Sequence, residues 1–129
     1  MFVLLDSTVL IDYLRGRPVA TRVQRLRRID DVPATTGINV EEVVRGLESG
    51  ELDAAQRLFD GLEVISIGAR DGWLAGSWRR QFAAQGVTLW QADCLIAAVA
   101  SRVGARLATG NPKDFPMPEI TVEHWPTGA

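Results

Sequence analysis

The sequence predicts an α/β domain with a parallel sheet, and two observations predict it. Short apolar runs alternate along the chain with segments whose apolar residues recur at helical spacing. The chain has 129 residues, the commonest size for one domain, so we expect residues 1–129 to form a single domain with one core.

The first half of the chain predicts two strands and four helices. Residues 2–5 are an apolar run typical of a buried strand, and helical spacing then begins at Val9 and stops at Gly16. An apolar stripe at positions 19, 23, 26 and 29 predicts a second helix with its arginines in solvent. Residues 33–38 predict the second strand, and helices are expected at 40–47 and 52–59.

The second half predicts three more strands and two more helices. The third strand is expected at 62–67, and a helix at 73–84. A strongly apolar helix at 92–103 precedes short strands at 106–109 and 120–122. The tryptophans at 73, 78 and 90 lie in apolar settings, which favours a place in the core or an interface over base stacking.

Composition narrows the classes of function. The net charge is −2 and the pI is about 5.4, so no broad basic surface is expected to bind nucleic acid by charge alone. The single cysteine, Cys94, excludes an intramolecular disulfide and a cysteine zinc site, and suits the reducing cytoplasm. The longest apolar run, at 94–100, is far shorter than a membrane helix, and no signal peptide is visible, so we expect a cytoplasmic protein without a membrane partner.

Acidic residues stand at the expected ends of strands and starts of helices. Asp6 follows the first strand, at the sheet edge where α/β proteins bind ligands, although an Asp there can also cap the next helix. Glu41 and Glu42 begin a helix, where the helix dipole favours acids. Asp93 begins the most apolar helix, where an unpaired charge is costly and a metal ion would remove that cost.

The segment from Asn111 to Asp114 is open to two interpretations. Asn at the cap, Pro at the first position and an acid at the third make a good helix start without any chemistry. Elsewhere the usual catalytic patterns are missing. The only histidine, His124, lies near the end of the chain, so no Ser–His or Cys–His pair is expected, and no glycine-rich phosphate loop occurs.

Four segments together resemble the motifs of PIN-domain ribonucleases, in the right order over residues 2–115. Residues 3–14 resemble the opening strand and helix. Glu42 precedes Gly46 by four residues, as in the second motif, and Asp93 opens a Leu-Ile-Ala-Ala helix, as in the third. Residues 107–115 resemble the closing Thr-x-Asn-x-x-Asp-Phe segment. The length and short N-terminus are most similar to VapC, the toxin family of bacterial VapBC toxin–antitoxin pairs.

The resemblance implies a three-layer α/β/α fold around a central, mostly parallel sheet of four to five strands. It also implies an endoribonuclease that depends on Mg²⁺ or Mn²⁺, cleaves RNA, and is neutralised by a cognate VapB-like antitoxin, with a homodimer inside the toxin–antitoxin complex. Carried over by position, the catalytic acids are Asp6, Glu42, Asp93 and Asp114, with Asp6 and Asp93 as direct metal ligands. Thr8 and Asn111 match supporting polar positions, and the glycine spacing selects Glu42 rather than Glu41.

Three other classes of protein are alternatives to a ribonuclease. A receiver-type signalling domain needs a pair of acids after the first strand and a phospho-accepting Asp after the third; position 7 is Ser and Gly-Ala-Arg follows Ile67. A phosphatase with an aspartyl nucleophile needs a second acid where Thr8 stands. A PIN fold that only binds, without catalysis, stays open.

Overall fold

The computed structural model describes residues 1–128. Within them, strands and helices alternate as the sequence predicts, and none of the helices is long and apolar enough to cross a membrane. In chain order the elements are β1 (Phe2–Leu5), α1 (Ser7–Leu14), α2 (Val19–Arg28), β2 (Val32–Thr36), α3 (Gly37–Arg45), α4 (Leu52–Asp60), β3 (Glu63–Ile65), α5 (Ala69–Ala83), α6 (Gln91–Val103), β4 (Arg106–Thr109), a 3₁₀ turn (Pro112–Asp114) and β5 (Thr121–His124).

The five strands form one all-parallel sheet in the order β3-β2-β1-β4-β5. The chain builds outward from β1 to β3 on one side and from β4 to β5 on the other. The switch point, where α/β sheets bind ligands, therefore lies between β1 and β4. Leu5 pairs with Ala108, so the carboxyl ends of these two strands are level. The residues that follow Leu5 and Ala108, which are Asp6 and Thr109, are therefore brought side by side.

Helices cover both faces of the sheet, which gives the three-layer architecture. Side chains alternate along β1 because successive residues of a strand point to opposite faces. Leu4 packs into a core with Trp78 of α5 and Ile96 of α6. Val3 and Leu5 pack into a second core built with α1, α2, α3 and α4. The sheet is therefore buried on both sides, which explains why its central strand is apolar throughout.

Side-chain caps explain why two elements differ from the predicted bounds. The second strand was expected at 33–38 but ends at Thr36, whose hydroxyl accepts the Asn39 N–H and starts α3 at residue 37. The helix expected at 73–84 begins at Ala69, because the Asp71 carboxylate accepts the Gly68 N–H. Both corrections come from a side-chain hydrogen bond between the N-cap residue and the third residue of the helix.

Other expectations are corrected at exposed positions. The third strand is limited to Glu63–Ile65 instead of 62–67, and the last strand is Thr121–His124 instead of 120–122. The stripe of α2 is buried at three positions, but Ile29 lies beyond the helix and is exposed. Of the tryptophans, Trp78 is in the core, whereas Trp73 and Trp90 lie on the surface.

Candidate active site

Asp6 lies at the centre of the carboxyl edge of the sheet and is almost fully buried. It occupies the N-cap position of α1 but makes no side-chain cap to that helix. Instead its carboxylate accepts hydrogen bonds from Thr109 Oγ1 at 2.8 Å, Thr8 Oγ1 at 3.3 Å and Asn39 Nδ2 at 3.4 Å. Burial raises its pKa, these hydroxyls lower it, and the charge of Glu42 raises it again, so the net pKa is raised.

A chain of polar side chains links Asp6 to Glu42. The buried Asn39 side chain donates to both Asp6 and Ser7, at 3.0 Å for the Ser7 hydroxyl. Ser7 in turn donates to Glu42 Oε1 at 2.7 Å, and Thr36 donates to Asn39 Oδ1 at 2.7 Å. The Ser7 hydroxyl accepts from Asn39 and donates to Glu42, so the network fixes the orientation of the Glu42 carboxylate from the start of α1.

Asp93 faces the same cluster from the first turn of α6. Its pKa is raised to about 6, first by burial and then by the charges of Asp114, Asp6 and Glu42. No hydrogen bond from a described residue contributes to that pKa. The four acids predicted from the sequence are therefore brought close enough to repel one another, although they come from four separate segments of the chain.

No basic side chain neutralises this cluster. Among residues 1–128, none of the ion pairs involves Asp6, Glu42, Asp93 or Asp114. By contrast, the buried Asp71 has a lowered pKa: burial acts to raise it, but hydrogen bonds from Arg102 and Gly68 outweigh burial. The chain thus pairs a buried acid where packing needs it and leaves the acids at the sheet edge unpaired.

The arrangement suits a divalent cation that keeps part of its water shell. In the described part of the chain no three acidic, His or Cys side chains are grouped tightly enough to form a complete protein cage. Mg²⁺ typically binds through one or two carboxylates and retains several waters, so Asp6 and Asp93 are a fitting donor pair. Their uncompensated charge is the observation that favours a cation there.

The remaining predicted residues take different positions. Glu41 pairs with Arg45 of its own helix at 3.3 Å, whereas Glu42 accepts the Ser7 hydroxyl. Asn111 is exposed; its side chain caps nothing, and its N–H donates to Thr109 Oγ1 at 3.0 Å. The expected helix start at Asn111 is a single 3₁₀ turn, which leaves Asp114 exposed beside Asp93.

Sequence reasoning missed four residues of the network, Ser7, Thr36, Asn39 and Thr109. A signal for Asn39 was present in the sequence, since Thr36 and Asn39 have the spacing of a capping pair at the end of the second strand. Cys94, next to Asp93, is buried, and burial raises the pKa of its thiol, as is typical of an unreactive cysteine.

Comparison with known proteins agrees with this geometry. The family model described as PIN domain matches residues 3–116. Ribonuclease VapC10 of Mycobacterium tuberculosis is 31% identical over 115 residues, which cover 89% of this chain and 86% of VapC10. Ribonuclease VapC19 of the same organism is 28% identical over 116 residues, covering 88% of this chain and 92% of VapC19.

A solved structure gives the same fold. The complex VapBC2 from Rickettsia felis, bound to a DNA fragment from its promoter, contains a chain that superimposes with a TM-score of 0.84 at 22% identity, covering 97% of this chain and 99% of that one. The three-layer fold with its all-parallel sheet is thus the fold of that chain as well. The chain belongs to the PIN-domain family, among the VapC ribonucleases.

Proposed function

We propose that residues 1–129 form one PIN domain that acts as a divalent-metal-dependent endoribonuclease, the toxin of a toxin–antitoxin pair. The observation that carries the proposal is the cluster of four unneutralised acids at the switch point of the sheet. The names of the relatives VapC10 and VapC19 support RNA as the substrate.

The acids of the site would take two roles, metal binding and the orientation of water. A bound Mg²⁺ or Mn²⁺ supplies an acidified water and positive charge against the phosphate. Asp6 and Asp93 would hold that ion, and Thr8 and Thr109 keep the Asp6 carboxylate in one orientation. Glu42, fixed by Ser7, and the exposed Asp114 would orient water around the scissile phosphate.

A groove between two helices supports an antitoxin partner. Tyr13, Leu14 and Leu58 line a groove of about 260 Å³ between α1 and α4. Such a groove can take the apolar face of a partner helix. The Rickettsia felis structure is described as a VapBC complex, which supports a VapB-like partner here. We further infer a homodimer within that complex, acting in the cytoplasm where the RNA is.

A cleavage assay with purified protein and a panel of RNAs, in Mg²⁺ or Mn²⁺ and in EDTA, tests the proposal. Asp6→Asn should abolish cleavage because it removes one metal ligand with almost no change in volume. A wild-type rate in that variant, or an undiminished rate in EDTA, contradicts the assignment. A PIN fold that only binds would give RNA binding without cleavage under every condition.

The adjacent glutamates provide a matched control. Glu42→Gln should reduce the cleavage rate strongly, because Glu42 faces Asp6 and Ser7. Glu41→Gln should be nearly silent, because Glu41 is exposed and contacts only Arg45 among its charged neighbours. The opposite ranking would show that the glycine spacing selected the wrong residue.

A further inference from the structure

An exposed tryptophan stands at the rim of the acidic cluster. Trp90 is 69% exposed, and it is the N-cap residue of α6, one helical turn before Asp93. Its backbone is well anchored. Leu89, the preceding residue, is buried and its carbonyl accepts a hydrogen bond from Arg79 Nε at 3.1 Å. A large aromatic ring is thus displayed from a fixed backbone within reach of the site.

Trp90 breaks a local rule of helix stability. N-cap positions favour Ser, Thr, Asp or Asn, whose side chains accept a backbone N–H of the first turn. The Trp90 side chain makes no such bond, and most of its surface contributes nothing to the core. A residue that lacks a stabilising cap and lies next to a candidate active site is expected to have a functional role.

The net charge of the protein indicates a role for Trp90 in binding RNA. With a net charge of −2, the chain is not expected to hold RNA by a broad basic surface alone. Aromatic stacking on bases supplies affinity without charge and accepts every base, because each base has a π-face. An exposed indole beside the acids therefore provides an attraction that the acidic cluster itself lacks.

We propose that Trp90 stacks on an unpaired nucleobase of the RNA next to the scissile phosphate. This inference rests on the proposed ribonuclease function. It makes Trp90 a substrate-binding residue that favours single-stranded over duplex RNA, since a paired base is not free to stack.

The chain offers a matched control in Trp73, which is 83% exposed but lies on α5 rather than at the start of α6. Helices α5 and α6 run antiparallel, as shown by the ion pair between Asp71 near the start of α5 and Arg102 near the end of α6. Asp71 and Arg102 are level, so Trp73, two residues further along α5, lies on the neighbouring helix about 10 Å along the axis from the turn that carries Asp93.

The experiment uses the full chain in Mg²⁺ with a pool of random-sequence single-stranded RNA 12-mers. It measures the half-saturating RNA concentration, the maximal cleavage rate and the melting temperature of Trp90→Ser, Trp90→Phe and Trp73→Ser. Trp90→Ser should raise the half-saturating concentration by about 5- to 100-fold, the range measured for loss of one stacked base. Trp90→Phe should raise it by less than about 3-fold, and Trp73→Ser should leave it unchanged.

Stability separates substrate binding from a structural role. Trp90→Ser installs a good N-cap, so its melting temperature should rise while RNA binding falls. RNA should also quench tryptophan emission in wild type and Trp73→Ser, but not in Trp90→Ser. A lower melting temperature with unchanged RNA affinity would overturn the proposal and make Trp90 a packing residue. Unchanged affinity with a shift from dimer to monomer would overturn it in favour of an interface between copies. If wild type neither binds nor cleaves the pool in Mg²⁺ or Mn²⁺, the proposed function falls with it.

Discussion

The replacement Asp93→Asn should make the metal-free protein more stable at neutral pH. The pKa of Asp93 is raised from 3.8 to about 6 in the folded chain, by burial and by the charges of Asp114, Asp6 and Glu42. The folded state therefore holds a proton that the unfolded chain has already released. The free energy of unfolding falls as pH rises from about 4 to about 6, and the loss persists at pH 7.

The magnitude follows from the size of the pKa shift. A shift from 3.8 to about 6 corresponds to about 3 kcal/mol at 1.36 kcal/mol per pH unit. Solvent screening of this partly exposed carboxyl reduces the loss to about 1–2 kcal/mol. Asn also gives up the helix-dipole interaction of a first-turn acid, about 0.3–1 kcal/mol. The net gain of Asp93→Asn in EDTA at pH 7 should be about 1 kcal/mol, or about 3–6 °C in melting temperature.

Mg²⁺ should reverse the order of the two proteins. A cation that binds only the folded state at 100 times its dissociation constant adds about 2.7 kcal/mol, or roughly 8–16 °C. Asp93→Asn should lose most of that gain because it lacks one of the two proposed ligands. Thermal melts of both proteins from pH 4 to 8, with EDTA or millimolar Mg²⁺, measure both effects.

The difference between the two melts isolates Asp93 from the other acids. A hydrogen bond from Arg106 lowers the pKa of Asp31. Burial acts to raise the pKa of Asp71, but the hydrogen bonds from Arg102 outweigh burial, so that pKa is lowered too. The stability they contribute is lost at acid pH in both proteins alike. The wild-type minus variant difference should vanish near pH 4 and grow up to pH 6. A variant that is less stable in EDTA and gains as much from Mg²⁺ would make Asp93 a structural first-turn acid.

Two further predictions concern the support of Asp6 and the biology of the chain. Thr109→Val removes a buried hydroxyl that donates to Asp6 and accepts from the Asn111 N–H. The loss should cost about 1–3 kcal/mol of stability, measured by denaturant unfolding, and should move the pH–rate profile to higher pH because a bond that lowers the pKa of Asp6 is gone. Thr109→Ser, which keeps the hydroxyl, should restore both the stability and the pH–rate profile. Expression of the chain alone should arrest bacterial growth, whereas Asp6→Asn should not, and co-expression of its antitoxin should restore growth; unimpaired growth with a metal-active protein would count against the toxin role.

The order of elements followed from the sequence alone, and the resemblance to PIN-domain motifs selected four acids that the fold brings near one another. A buried strand shows itself as an apolar run, and a helix as a 3.6-residue period, because both patterns depend on neighbours a few residues apart. The strands at 2–5 and 106–109 were therefore placed correctly. The predicted start of a helix was wrong where a polar side chain caps the helix, as Thr36 and Asp71 do, because such a cap sets the first residue independently of the apolar pattern.

Only the tertiary structure decided how Asp6 is held and how strongly the acids interact. Asn39 and Thr109 reach Asp6 from 33 and 103 residues away, and nothing local in the sequence specifies that β2 and β4 flank β1. The raised pKa of Asp93 depends likewise on burial and on charges that three other segments supply. The sequence by itself determined which acids the chain carries and at which ends of its elements they stand. Strand order decided that they meet, because hydrogen bonding and electrostatic repulsion depend on distance in space and not on separation along the chain.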